Sequence, residues 1–442
     1  MFTKMSMTNF KSWAGTGDIR LAPLTVFFGA NSSGKSSLLQ MLLLLKQTTE
    51  SNDRGLVLKT GNIQTGYVNL GTPHEITHKD TTEMTLSVGW SLPQKLKIPD
   101  TQVSIDHLTF STTIHAETQL TFVEKLSYSH DKFFVAMSKT DNNDYSIQVN
   151  VNGHEPKRPP NRPRTRRVEP QKCYGFSDEA IRFYQDTDYL SDIILEFEQQ
   201  FERLYYLGPL REYPQRIYPW TGEKPASVGL KGELAISALL AGKDDNVIAN
   251  TGKGKYKSLQ KAIAEALVKL GLAHSFEATP LVQGGIQYEV RLRRTKNSYP
   301  VLITDMGIGV SQVLPVLVLC YYAPMGSTII LEQPELHLHP SVQSALADVF
   351  IDVAKTRKIQ IIIESHSEHL LRRIQRRVAE DKLRLDDTAL YFCDAPNGIS
   401  TIKPLEINIF GNISNWPHGF FGDMTEDMFE MAQKGIKRKA EQ

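Results

Sequence analysis

The spacing of apolar positions divides the chain into stretches of different period. Residues 2–8 alternate as a strand does, and Leu24-Thr25-Val26-Phe27-Phe28 is a short β-branched and aromatic run of the buried kind. From Ser37 to Lys46 the chain is nearly continuous in Leu and Met, which are strong helix formers. Between about residues 83 and 153 the period drops to two. Met84–Val88, His107–Phe110, Leu120–Val123, Phe133–Met137 and Tyr145–Val149, separated by turn residues, predict an antiparallel sheet. Residues 187–204 return to helical spacing, with Leu190, Ile193, Ile194, Phe197, Phe201 and Leu204 on one face. Two more helices are expected at 231–241 and 256–270, then a hairpin of Ile286–Leu292 against Tyr299–Ile303. Two apolar strands follow: Thr328–Leu331 runs into Glu332, and Ile359–Ile363 into Glu364-Ser365-His366-Ser367. No internal repeat and no sustained heptad run is present.

Composition changes this picture little. A chain of 442 residues, 40% hydrophobic and 22% charged, suits an ordinary globular protein of two or three domains, or one elaborated one. A net charge of +1 provides no global field toward nucleic acid, so such binding must come from a local patch. The basic, proline-broken stretch Lys157–Arg167 is the one candidate: either an arm that tracks phosphates or binds a partner, or a solvated linker. Cys173, Cys320 and Cys393 lie far apart without metal-ligand spacing, as expected in a reducing compartment. The apolar run Val313–Ala323 is well short of a membrane span and contains Pro315, and the N-terminus has no signal-peptide core. A soluble cytoplasmic protein, away from the membrane, is expected.

The chemistry centres on Gly29-Ala30-Asn31-Ser32-Ser33-Gly34-Lys35-Ser36, which fits G-x-x-x-x-G-K-[ST] between a strand and a helix. Its glycines let successive N–H groups converge on a phosphate, at a helix start that adds unpaired donors. The binding residues are then Asn31, Ser32, Ser33, Gly34, Lys35, Ser36 and Ser37, with Lys35 on the β- and γ-phosphates and Ser36 on Mg²⁺. Phe10, Lys11 and Trp13 follow the first strand and serve either as a platform for the base or as core. Glu332, ending a strand beside this loop, is the expected second ligand of Mg²⁺. His366 is positioned to sense the γ-phosphate. A second glycine turn, Asp305-Met306-Gly307-Ile308-Gly309-Val310-Ser311-Gln312, opens the helix of Val313–Tyr322. One γ-phosphate has no room for both glycine loops of one subunit, so Gly307, Gly309 and Ser311 are assigned to a partner's nucleotide. His337, His339, His366 and His369 have no cysteine or spaced histidine pair to complete a tetrahedral zinc set.

The order of phosphate loop, glycine-serine signature, acidic strand and Ser-His-Ser turn resembles the ABC-type ATPase heads of the RecF, SMC and OLD kind. Glu332-Gln333-Pro334-Glu335-Leu336-His337-Leu338-His339-Pro340 is similar to the Walker B segment of prokaryotic AAA-type ATPases in that group. Gly208-Pro209-Leu210-Arg211 and the tail around Phe421-Gly422-Asp423 resemble a branch found in phage-defence and DNA-repair operons. The resemblance covers essentially the whole chain. It implies an α/β P-loop NTPase, an ABC-type head with an antiparallel β subdomain and a helical insertion. The corresponding division is 1–155 for the P-loop lobe with its sheet, 156–275 for the basic loop and insertion, and 276–442 for the signature, Walker B and switch-histidine lobe.

It also implies an ATPase whose subunits form a homodimer, or a higher homo-oligomer, by sandwiching ATP. Such a head controls an effector, a nuclease or toxin encoded nearby, in antiviral defence. Where such heads carry a general-base acid this chain has Gln333, so slow hydrolysis is expected, with Glu335 and His366 as further catalytic candidates. Alternatives are a RecF-like repair ATPase binding DNA through 157–167, and an OLD-like nuclease component. The residues after His366 leave no room for a complete OLD-type nuclease domain.

Overall fold

The computed structural model describes residues 1–61, 66–79, 81–98, 103–118, 120–142, 144–151, 169–178, 181, 189–248, 256–417, 420, 429–434, 436 and 438. The basic stretch 157–167 and the tail segment Phe421–Asp423 lie outside the described residues.

Two sheets and the helix wedged between them position the site. The central sheet has the order Leu204–Leu207, Thr328–Glu332, Gln360–Glu364, Leu24–Gly29, Thr388–Asp394, Thr401–Pro404, and all neighbours are parallel except the last pair. Its inner strands Thr328–Glu332, Gln360–Glu364 and Leu24–Gly29 are buried along their whole length and largely apolar, because both faces are covered there. Val26, Phe28, Ile329, Leu331, Ile361 and Ile363 enter one core, while Phe27, Ile330 and Ile362 enter the other. This period of two explains why each run lacks a polar face.

The helix Lys35–Thr49 leaves the central sheet and lies in the second core, with Leu38, Leu39 and every residue from Met41 to Leu45 buried. A helix buried on all sides needs no amphipathic stripe. Its other neighbour is the large antiparallel sheet, ordered Trp13–Gly15, Phe2–Phe10, Glu83–Lys97, Ser104–Ala116, Thr121–His130, Phe133–Lys139, Tyr145–Val151, with Ile19–Arg20 on Phe2–Phe10. All five strands expected between residues 83 and 153 are present in this sheet. On the opposite face of the central sheet pack Ile308–Tyr322, Pro340–Arg357, Glu368–Ala379, Ala235–Ala241 and Leu259–Lys269.

Several bounds differ from the sequence reading. The helix expected over 187–204 ends at Glu202, and Leu204 already belongs to a strand. The helix expected from 256 begins at Leu259, because the Ser258 side chain caps it by accepting from Lys261 N. The helix expected from Val313 begins at Ile308, so Gly309 and Ser311 lie in its first turn. Thr388–Asp394 and Ser275–Pro280 are strands that the sequence reading does not contain.

Gln360 ties the two sheets together. Its side chain is buried, its Oε1 accepts from Phe2 N (3.0 Å) and Thr328 Oγ1 (3.0 Å), and its Nε2 donates to Phe2 O (2.7 Å) and Ala22 O (3.2 Å). Gln360→Leu keeps the bulk and strands these groups, each costing about 1–3 kcal/mol when buried unpaired. The expected loss is about 3 kcal/mol or more, read as a lower denaturant midpoint at unchanged slope. An unshifted midpoint would refute this role.

Candidate nucleotide-binding site

The phosphate loop is shaped by two approaches that only glycine tolerates. Gly29 has φ 142°, and a Cβ there would sit 2.0 Å from the Cys393 carbonyl oxygen on the neighbouring strand. Gly34 has φ 88°, and its Cβ would lie 2.3 Å from Ser400 Oγ and 2.9 Å from Trp13 Nε1. Both conformations are open to glycine at little cost. Trp13 Nε1 donates to Gly34 O (3.1 Å), and Phe10 and Trp13 are fully buried. These two aromatics therefore brace the loop and core. Lys11 instead reaches the cleft wall and donates from Nζ to Gln40 Oε1 (2.7 Å).

A cleft of about 300 Å³ opens at the loop, walled by the run Asn31–Ser37 together with Lys11, Ser12, Gln40, Gln333, Glu364 and His366. Lys35 Nζ folds back on the loop, donating to Ala30 O (2.6 Å), Gly29 O (3.2 Å) and Ser33 Oγ (3.3 Å). Burial lowers its pKa, while Glu364, Cys393 and Glu335 oppose that shift. A phosphate entering the cleft can replace the loop oxygens as the acceptor for this ammonium. A helix start leaves backbone N–H groups without intrahelical partners, a favourable place for a phosphate; here Ser37 N donates to Gly34 O (3.1 Å).

The acidic side of the cleft is built from two strand ends. Gln333 has φ 44°, a left-handed conformation that a non-glycine residue adopts at a cost, and its N–H donates to Glu364 O (2.8 Å). Glu332 is buried; its Oε1 accepts from Tyr206 Oη (3.0 Å), and Arg211 Nη2 donates to its main-chain oxygen (3.4 Å). Burial and the neighbouring Glu364 raise its pKa to about 7 against the pull of Tyr206 and Arg211. Glu364 is likewise pushed up by burial, and is held back by a hydrogen bond from the Ser36 hydroxyl and by Lys35. Its Oε2 is buried with no partner among the described residues. An anionic oxygen of this kind beside a phosphate loop fits Mg²⁺, a hard cation that takes oxygen ligands.

Glu335 and His366 form one unit. Glu335 Oε1 accepts from Ser365 Oγ (2.8 Å) and His366 N (2.7 Å), so this buried carboxylate holds the switch turn from beneath and is not part of the cleft wall. His366 lines the cleft, and its pKa is lowered by burial and by Lys35 against a hydrogen bond with the Gly29 backbone. That shift favours the neutral imidazole.

The signature residues lie elsewhere. Gly307, Gly309 and Ser311 sit at the start of Ile308–Tyr322, outside the wall of the cleft. Gly307 and Ile308 are exposed, and Ser311 Oγ donates to Ile308 O (2.8 Å) within the turn. The cleft thus brings together Asn31–Ser37, Gln333 and His366, and leaves Glu332, Glu335 and the signature outside its wall. Glu364 and Gln40 were not anticipated; both lie beside motifs, but their nearness to the loop depends on tertiary packing.

Among the described residues, one other group has ligand-like spacing: Asp106, His107 and His130, whose ligand atoms lie within 4.8 Å of one another. His130 Nδ1 accepts from Lys132 N (3.3 Å), which leaves the proton on Nε2, facing Asp106 Oδ1 at 3.3 Å. That nitrogen presents a hydrogen where a metal needs a lone pair.

Residues 24–372 match the family described as an AAA domain, putative AbiEii toxin, type IV toxin–antitoxin system. Residues 383–431 match a protein family of unknown function, DUF3696. No curated protein matches the chain. Solved structures similar to it include an SMC head bound to the C-terminal winged-helix domain of ScpA, at 12% identity and TM-score 0.46, covering 92% of this chain and 98% of that one. Another is an SMC head domain from Thermotoga maritima, at 10% identity and TM-score 0.43, covering 92% and 99% respectively.

Proposed function

The chain belongs to the family of AAA domains described as putative AbiEii toxins of type IV toxin–antitoxin systems, and we propose that it is a slow ATPase that pairs around ATP and thereby controls an effector protein. The observation that carries this reading is the split arrangement of its motifs. The phosphate loop, Gln333 and His366 line one cleft, while the glycine signature stands outside it with Gly307 and Ile308 exposed. A subunit built this way binds ATP by itself and completes the site of another copy. The family's description as part of a toxin–antitoxin system supports a protein partner and a role in antiviral defence.

In this reading the loop N–H groups and Lys35 hold the phosphates, and His366, neutral, contacts the γ-phosphate. Gln333 orients the attacking water, as glutamine does in small GTPases. Ser36 and an acid at one of the two strand ends, Glu332 or Glu364, would hold Mg²⁺, which neutralises charge on the β- and γ-phosphates when bound. Gly307, Gly309 and the first turn containing Ser311 serve the partner's nucleotide. Phosphate release from Mg²⁺-ATP by the purified chain, together with ATP-dependent dimerisation in light scattering, tests the whole. A chain that stays monomeric and inert with ATP would overturn it. No described helix is long and apolar enough to cross a membrane, and a cytoplasmic setting accords with this reading.

Gln333 sets the expected rate. A general base is worth about 10²–10⁴ in rate, so Gln333→Glu is expected to raise kcat by about tenfold or more. Glutamate keeps the shape of glutamine, and the buried Glu364 alongside would raise the pKa of the new acid, as a base requires. Steady-state kinetics check this. A fall, or no change, would move the water-orienting role to His366, which lines the same cleft.

A further inference from the structure

Two carboxylates stand in a row leading to the phosphate loop. The strands Thr328–Glu332, Gln360–Glu364 and Leu24–Gly29 pair in parallel, with Glu332 opposite Glu364 and Glu364 opposite Phe27. Residues paired across parallel neighbours project to the same face, and neighbours lie about 4.8 Å apart. Glu364 is therefore one strand from the loop strand and Glu332 two.

Their engagements differ as well. Glu332 Oε1 is taken by Tyr206 Oη, Arg211 binds its main-chain oxygen, and the residue is outside the cleft wall. Glu364 lines the cleft with Lys35 and Ser36, and keeps a buried oxygen with no partner among the described residues. A buried anionic oxygen without a partner is costly. A hard divalent cation shared with a hydroxyl and phosphate oxygens would supply the missing partner.

We propose that Glu364, with Ser36, is the carboxylate that contacts the divalent cation of the bound nucleotide, and that Glu332 stands behind it in contact with Tyr206. This rests on the nucleotide-binding reading above and deepens it by assigning the cation's ligand to the switch strand. Gln333 N donates to Glu364 O (2.8 Å), so the cation's ligand and the residue that orients water are tied by a backbone hydrogen bond between neighbouring strands.

The test uses the full chain with a fluorescent mant-ATP probe, titrated with Mg²⁺ or with EDTA, and Mn²⁺ binding to the nucleotide complex read by electron paramagnetic resonance. Wild type is expected to bind mant-ATP more tightly with Mg²⁺ than with EDTA. Glu364→Gln, which keeps the shape of the side chain, should lose that difference while retaining metal-free binding. Its Mn²⁺ affinity should fall by more than about a hundredfold, against about tenfold to a hundredfold for Glu332→Gln, the range of a residue behind the ligands. The proposal is overturned if Glu364→Gln keeps the Mg²⁺ response, if Glu332→Gln suffers the larger loss, or if Glu364→Gln loses metal-free binding in equal measure. A wild-type chain that binds no mant-ATP under either condition refutes the nucleotide-binding reading itself.

Discussion

Lys35→Ala is expected to weaken ATP binding by about tenfold to a hundredfold or more, the worth of a hydrogen bond to a charged group in a part-buried setting. Lys35 is the phosphate loop's own cation, and its Nζ already lies against Ala30 O, Gly29 O and Ser33 Oγ, within the curve a phosphate would occupy. The other lysine of the cleft, Lys11, is engaged with Gln40 Oε1 (2.7 Å) and does not substitute for it. Alanine at 35 continues the helix that begins there, and of the two carbonyls it frees, that of Ala30 belongs to an exposed residue. The fold should therefore survive, as checked by an unchanged far-UV circular dichroism spectrum. Titration with mant-ATP measures the effect. Wild-type affinity in a folded Lys35→Ala chain would remove the nucleotide from this cleft.

The phosphate loop was legible because everything that makes it is local: a strand, two glycines, a lysine and a helix within about two dozen residues. The antiparallel sheet was legible for a similar reason, since its strands alternate and follow one another through short turns. Thr388–Asp394 was not, although it pairs with the loop strand and its Cys393 carbonyl is what forbids a side chain at Gly29. Its partner lies more than three hundred residues earlier, and nothing in its own sequence names that partner.

The acidic residues show the same limit. From the sequence, Glu332 and Glu335 stand out as candidate acids, and Glu364 only as the last residue of a strand. Which one meets Ser36 depends on the switch strand lying between the acidic strand and the loop strand, a matter of sheet order. Glu335 invited a role with water by being two residues past Gln333. Its burial under Ser365 and His366 comes from the turn through Pro334, which a linear reading does not show.

Pairing predicts a specific pattern of rescue. Gly309→Arg places a long cation where another subunit's phosphate must approach, and it should leave its own chain intact. The Cβ direction at Gly309 meets Leu338 Cδ2 at 3.5 Å and His337 O at 3.7 Å, ordinary contacts, and φ there is not left-handed. The variant should therefore fold and bind ATP in its own loop, yet fail to turn it over. Lys35→Ala should fail for the opposite reason, keeping a good signature beside a dead loop. Mixed together, the two form a heterodimer in which the Gly309→Arg loop meets the Lys35→Ala signature, so one site is whole and the other is doubly defective. With statistical pairing, half the dimers are mixed and each has one of two sites restored, so about one quarter of wild-type turnover should return. Phosphate release from the mixture, with heterodimers verified by differential tags, reads this directly. If verified heterodimers stay as inactive as the parents, the signature and the loop do not meet across a subunit boundary, and the sandwich is wrong.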